Sequence, residues 1–184
     1  MSALPRRILV GTDFSVASQH AVDRAVALAK AWSVPLVLHH VAAASLWEDV
    51  VSRAADAAGL DPESPEAVVA MASDLLRRRA DEIEAASGVR CEVGASAGRA
   101  AAELARVAGA VEAGLLVIGA HGDHPVRHLF VGTTAQKLLR VSPCPVLIVR
   151  RPMPFDYGTV LAPTDFSAPS RAALRTCLAW LPQA

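Results

Sequence analysis

Apolar residues fall along the chain in two alternating patterns. Short, nearly unbroken runs at residues 8–10, 36–41, 89–93, 115–118 and 144–149 read as strands, the densest of them as strands buried on both faces. Between them the apolar positions recur at helical spacing. Residues 16–32 place Ala21, Val22, Ala25, Val26 and Ala29 on one face, and residues 64–86 do the same with Val69, Ala72, Leu76, Ala80 and Ile83. Alanine-rich residues 100–113 and the short stretch 135–141, ending at Ser142-Pro143, complete the helices. Strands alternating with helices predict an α/β fold, a doubly wound five-stranded parallel sheet flanked by helices and joined by right-handed crossovers. Ser15 is a candidate N-cap for the first helix.

Residues 42–64 fit this alternation least. Ser45-Leu46-Trp47-Glu48 has the form of a capping box and predicts a short helix to about residue 58, closed by Gly59 and Asp61-Pro62. Shielding of a ligand, an interface role and surface decoration all remain open for it.

Composition narrows the class. Of 184 residues, 53% are hydrophobic but only 4% aromatic, so the core is built from Ala, Val and Leu. Formal net charge is zero, which argues against broad attraction to nucleic acid or anionic membrane. The run Arg77-Arg78-Arg79 is followed within a turn by Asp81, Glu82 and Glu84, the pattern of a solvated helix face. Cys91, Cys144 and Cys177 are far apart and lack metal-ligand spacing, as suits a reducing compartment. The apolar run after Arg6-Arg7 is too short for a signal core, and no run nears a membrane span. The expectation is a soluble, cytoplasmic protein.

Candidate chemistry concentrates after the fourth strand, in Gly119-Ala120-His121-Gly122 and, nine residues on, Gly132-Thr133-Thr134. Strand, glycine-rich loop and helix N-terminus follow one another, an order in which backbone N–H groups and the helix dipole can hold a phosphate. Gly119 and Gly122 would let the backbone turn sharply and approach a ligand. Gly132 falls where loop meets helix, and Thr133 and Thr134 add hydroxyls for capping or for phosphate. No Gly-Lys-Ser/Thr follows, so this is no Walker loop, and Gly-x-Gly-x-x-Gly is absent.

Gly119-x-x-Gly122-x9-Gly132-Thr133 resembles the nucleotide-binding signature of the ATP-binding universal stress proteins. Residues 8–15 resemble that family's opening and Ser142-Pro143-Cys144-Pro145-Val146-Leu147-Ile148-Val149 its closing strand, so the likeness spans about residues 5–151. The resemblance implies ATP (or ADP or AMP) with Mg²⁺ as cofactor. It implies binding through Asp13, Val41, Gly119, Gly122, Gly132, Thr133 and Thr134, with Asp13 on the nucleoside and the Val41 backbone beside the base. Mg²⁺ would be coordinated mainly by phosphate and water. A regulatory role in stress response, an unidentified protein partner and a homodimer through residues 146–149 follow from the same resemblance. Asp13 has the alternative of a turn or cap residue, the ordinary role of Asp after a strand.

Other chemistry is thinner. His39 and His40 are adjacent, face opposite sides of a strand and read as packed or solvated side chains. His121, His124 and His128 with Asp123 form a poorly spaced metal set, and a histidine with Arg127 assisting phosphates is the better reading. No nucleophile–base arrangement emerges. The rival functions are slow ATP hydrolysis at the same site and a dimeric interaction protein without nucleotide.

Thr164-Asp165-Phe166-Ser167 repeats Thr12-Asp13-Phe14-Ser15, with Val160-Leu161 before it and Ser170-Arg171-Ala172-Ala173 after it in matching character. Residues 159–184 therefore read as the opening strand and helix of a second repeat, joined through a linker at 152–158. One strand and one helix cannot bury a core alone, so the segment is expected to be disordered or to dock on its own domain or a neighbour. Asp165, without a glycine loop, is not expected to bind nucleotide.

Overall fold

A computed structural model describes residues 4–42, 65–120, 132–150, 152 and 159–180. The elements run β1 (Ile8–Thr12), α1 (Val16–Trp32), β2 (Leu36–Ala42), α2 (Pro65–Ser87), β3 (Cys91–Ala97), α3 (Ala100–Ala110), β4 (Leu115–Gly119), α4 (Thr133–Val141), β5 (Val146–Val149) and α5 (Ala168–Trp180). All five strands are parallel, in the order β3-β2-β1-β4-β5. The expected doubly wound α/β fold is the one observed.

The apolar runs are continuous because each central strand is covered twice. Ile8 and Val10 enter one core with Leu36, Leu38, Leu115 and Val117 beneath α1 and α2. Leu9 faces the opposite core with Val37, Leu116 and Ile118 beneath α3 and α4. α1 starts where Ser15 accepts a hydrogen bond from the Ser18 N–H and stops where Ser33 turns left-handed, at φ 54°. The arginine-rich stretch of α2 is a solvated face: Arg77 pairs with Asp74, and Arg79 bridges Glu82 at 2.9 Å and Asp23 of α1 at 3.5 Å.

Of the boundaries that differ from the sequence pattern, three have a plain local reason. β3 lies at Cys91–Ala97 rather than 89–93, because this edge strand continues through Gly94, Ala95, Ser96 and Ala97 on backbone pairing to β2 alone. α3 ends at Ala110, where Val111 and Glu112 turn and Glu112 takes φ 51°. β5 begins at Val146, since Pro145 has no N–H to donate, although its carbonyl accepts from Leu116 at 3.0 Å. The helix expected from Ser45 lies outside the described residues.

Beyond β5, residues 168–180 form α5, and residues 159–165 carry no strand. Leu161 is 90% exposed, against 0% for its counterpart Leu9, and no residue of α5 is buried. A strand exists only with a ladder partner, and among the described residues none pairs with this segment. The anchor of α5 is Trp180, whose ring lies 5.6 Å from that of Trp32 at the end of α1.

Candidate functional site

The sheet reverses direction of growth at β1. The chain moves outward from β1 to β2 and β3, then α3 carries it back across to β4 on the far side of β1. A crevice outside the carboxyl ends of β1 and β4 follows from that topology.

Thr12 ends β1, and the next three residues make a tight turn. The Phe14 N–H donates to Thr12 Oγ1 at 3.1 Å, and Asp13 Oδ1 accepts from the Ser15 N–H at 3.1 Å and from the Ser15 hydroxyl. Ser18 donates its hydroxyl to the Ser15 carbonyl at 2.9 Å and so accepts from Thr12 Oγ1 at 3.1 Å. Phe14 adopts φ 63°, a left-handed conformation rare for an aromatic residue. Asp13 therefore does act in a turn, and the residue is still exposed just past the carboxyl end of β1, with both of those bonds made by Oδ1.

One strand over, β2 contributes His40 and Val41. His40 Nδ1 lies 2.8 Å from the Thr12 carbonyl oxygen, which can only accept, so Nδ1 carries the hydrogen. The imidazole also rests on the Phe14 ring, with centroids 4.8 Å apart. Burial lowers the His40 pKa, opposed by the Thr12 bond and the Asp13 charge. Val41 is half-buried against the α3 and α4 core and pairs with Ser96 of β3. The sequence flagged His40 only as packed or solvated; its place beside Asp13 shows once β1 and β2 are in register, with Thr12 opposite His40.

β4 supplies Gly119, and here the structural reason differs from the expected one. A Cβ at Gly119 would stand 2.8 Å from both the carbonyl carbon and oxygen of Ala17. The glycine is required by close packing of β4 on the first turn of α1, whatever it also offers a ligand. Ala120 then donates to Val149 at 2.9 Å, and its own carbonyl accepts from the Gly132 N–H at 2.9 Å. Gly132 caps α4 without any side-chain hydrogen bond, and Gln136 is the first residue to donate back into the helix. The N–H groups of Thr133, Thr134 and Ala135 thus lack intrahelical acceptors, beside an exposed Thr133 and a half-buried Thr134. Gly122, with His121, Asp123, His124, Arg127 and His128, lies outside the described residues.

Next to the crevice, His39 is buried beneath the α3 side of the sheet, with Nε2 3.0 Å from Ser96 Oγ. Gly94 leaves it room, since a Cβ there would stand 2.8 Å from the imidazole Nδ1. Burial, with the neighbouring His40 and Arg106 adding to it, pulls its pKa down to about 4, so it is neutral at pH 7. Arg106 and, more weakly, Ser96 hold the Glu103 carboxyl below its usual range. Among the described residues no group of three or more His, Cys, Asp or Glu is placed to hold a metal ion.

The strand order defines a class, the doubly wound α/β proteins, in which ligands bind outside the carboxyl ends of the strands where the order reverses. Within it, the chain belongs to the universal stress protein family, whose family model matches residues 5–150. It is 27% identical over 150 residues to the universal stress protein YxiE of Bacillus subtilis, covering 78% of this chain and 98% of that protein. Among solved structures it resembles the universal stress protein UspA from Lactobacillus plantarum, at 26% identity and TM-score 0.62, over 81% of this chain and all of that one. A universal stress protein solved in complex with cAMP is also 26% identical, with TM-score 0.57, over 80% of this chain and 98% of its own.

Proposed function

We propose that residues 5–151 bind an adenine nucleotide, ATP or its di- or monophosphate, and that binding rather than turnover carries a regulatory role in the stress response of the cytoplasm. The observation that carries this reading is convergence. Asp13, Val41 and Gly119 lie on or just past three strands at one carboxyl edge, where the start of α4, without a side-chain cap among the described residues, offers N–H groups. The chemistry fits the ligand: an exposed carboxylate can accept from ribose hydroxyls or an adenine amino group, and helix N–H groups suit phosphate. Gly119, Gly122, Gly132, Thr133 and Thr134 would line the phosphates, whose own oxygens and water would hold Mg²⁺. That a relative of 26% identity was solved with cAMP supports an adenine nucleotide. Calorimetric titration of ATP and AMP, with and without Mg²⁺, tests it on wild type, Asp13→Ala and Gly132→Val. Binding by wild type that both variants lose is the expected result; a folded wild type that binds neither nucleotide overturns the reading.

The same reading takes β5 as a dimer edge. It is one of the two edge strands, with one hydrogen-bonding side unpaired by β4 and with Val146, Leu147 and Ile148 only half-buried. Sedimentation of the wild type at micromolar concentration should give the mass of two chains. Residues 152–158 are read as a linker and 159–184 as the opening of a second repeat. In support, Phe166 donates to Thr164 Oγ1 at 3.0 Å, Ser167 to Asp165 Oδ1 at 2.9 Å, and Phe166 takes φ 63°, as in the first copy. Pro163 stands at the position of Gly11, so it brings no N–H to a ladder there, and a Cβ at Gly11 would press on the Leu104 side chain at 2.9 Å.

A further inference from the structure

The ladder between β1 and β2 ends at the Thr12–His40 pair. Asp13 is the next residue on one strand and Val41 the next on the other, so the two nucleoside-side residues stand just past the last paired position. Nothing in the backbone ladder fixes their separation there. A side chain does: His40 reaches across and donates Nδ1–H to the Thr12 carbonyl at 2.8 Å, while its ring bears on Phe14. The turn and the tip of β2 are thereby clasped together.

The chain carries its own control for what this clasp does. The turn at 164–167 repeats most of the internal bonds of the turn at 12–15, including Ser170 to the Ser167 carbonyl at 3.1 Å and Thr164 to Ser170 at 3.1 Å, although the Ser167 hydroxyl donates to Ser170 Oγ where that of Ser15 donates to Asp13. It forms them with Thr164, Asp165 and Phe166 exposed and Ser167 and Ser170 half-buried, and among the described residues no histidine bonds to it and no strand lies alongside. Local sequence alone therefore makes the turn. His40 is not needed for the shape of the turn, and its bond acts on where the turn sits.

We propose that His40 is a positioning residue for nucleoside binding, setting the span between Asp13 and Val41 through the Thr12 carbonyl. The inference rests on the nucleotide reading above, and its test separates the two. AMP is titrated into wild type, His40→Phe, His40→Asn, Asp13→Asn and the His40→Phe/Asp13→Asn double variant, each checked for an intact urea transition. Phe keeps a ring against Phe14 but has no donor; Asn places an N–H near the position of Nδ1. Loss of one hydrogen bond predicts an affinity about 5–10-fold weaker for His40→Phe. His40→Asn should recover to within about threefold of wild type, a rescue that the donor and not the ring explains. In the Asp13→Asn background, His40→Phe should add less than about twofold, because a residue acting through the turn loses its effect when the turn's ligand group is changed. An effect of His40→Phe that is absent, that Asn fails to rescue, or that persists in full beside Asp13→Asn overturns the proposal while leaving the nucleotide site standing. A wild type that does not bind AMP or ATP removes both.

Discussion

Gly119 at the end of β4 and Ala17 in the first turn of α1 touch backbone to backbone: a Cβ on Gly119 would lie 2.8 Å from the Ala17 carbonyl. Neither partner can rotate away, since both atoms belong to the main chain. Gly119→Ala should therefore cost about 1–3 kcal/mol in urea unfolding, the usual range for overpacking, and nudge α1 and Asp13 with it. Gly109, in α3 with nothing within 4 Å of a Cβ, is the matched comparison. Gly109→Ala should stabilise by about 0.5–1 kcal/mol through helix propensity. Equal costs at the two positions would refute the packing account.

His39 predicts a pH dependence of stability. Its folded pKa is lowered to about 4 from the model-peptide value of 6.5, chiefly by burial. Between those values the unfolded chain holds a proton that the folded one excludes, so stability falls as pH drops from 6.5 to 4 and is unaffected by this group above that window. The contribution, allowing for partial solvent screening, is on the order of 2 kcal/mol. His39→Gln, which keeps an N–H near Ser96, should flatten the slope there. Parallel curves for the two proteins would discard the assignment.

Burial raises the Cys91 thiol to about 12 and lifts Cys144 above its usual value. Thiolate is the reactive form, so both should label with iodoacetamide at pH 8 far more slowly in native protein than in urea. Mass spectrometry of the peptides decides this, and native labelling of Cys91 at the denatured rate would contradict the packing of β3 on α2.

α5 has no buried residue and is held through Trp180 on Trp32. Trp180→Ala should speed amide exchange across residues 168–180 while leaving exchange in β1 and β4 unchanged. Slow exchange in α5 after the substitution would mean that something other than the tryptophan pair holds it.

The parts of this protein legible from sequence are those where burial acts on both faces of an element. Residues 8–10 and 115–118 are apolar without a break because each has a core above and below, and the strands stand where the pattern puts them. Where backbone pairing replaces side-chain burial, the pattern is silent: Gly94 to Ala97 extend β3 with small residues that look like a loop. The crevice divides the same way. Asp13 and Gly119 follow strand ends and can be placed by counting. His40 gains its meaning only from the register that sets it opposite Thr12, and register is a long-range property that no local window contains. The packing role of Gly119 is not legible from sequence, because proximity to Ala17 depends on how α1 returns over β4.

The bond between Gly132 and the Ala120 carbonyl joins the two ends of an interval of eleven residues, 121–131, to each other and, through Ala120 and Val149, to the sheet. Because every donor and acceptor in that relay is a main-chain group, the start of α4 is moored to the sheet without calling on a single side chain.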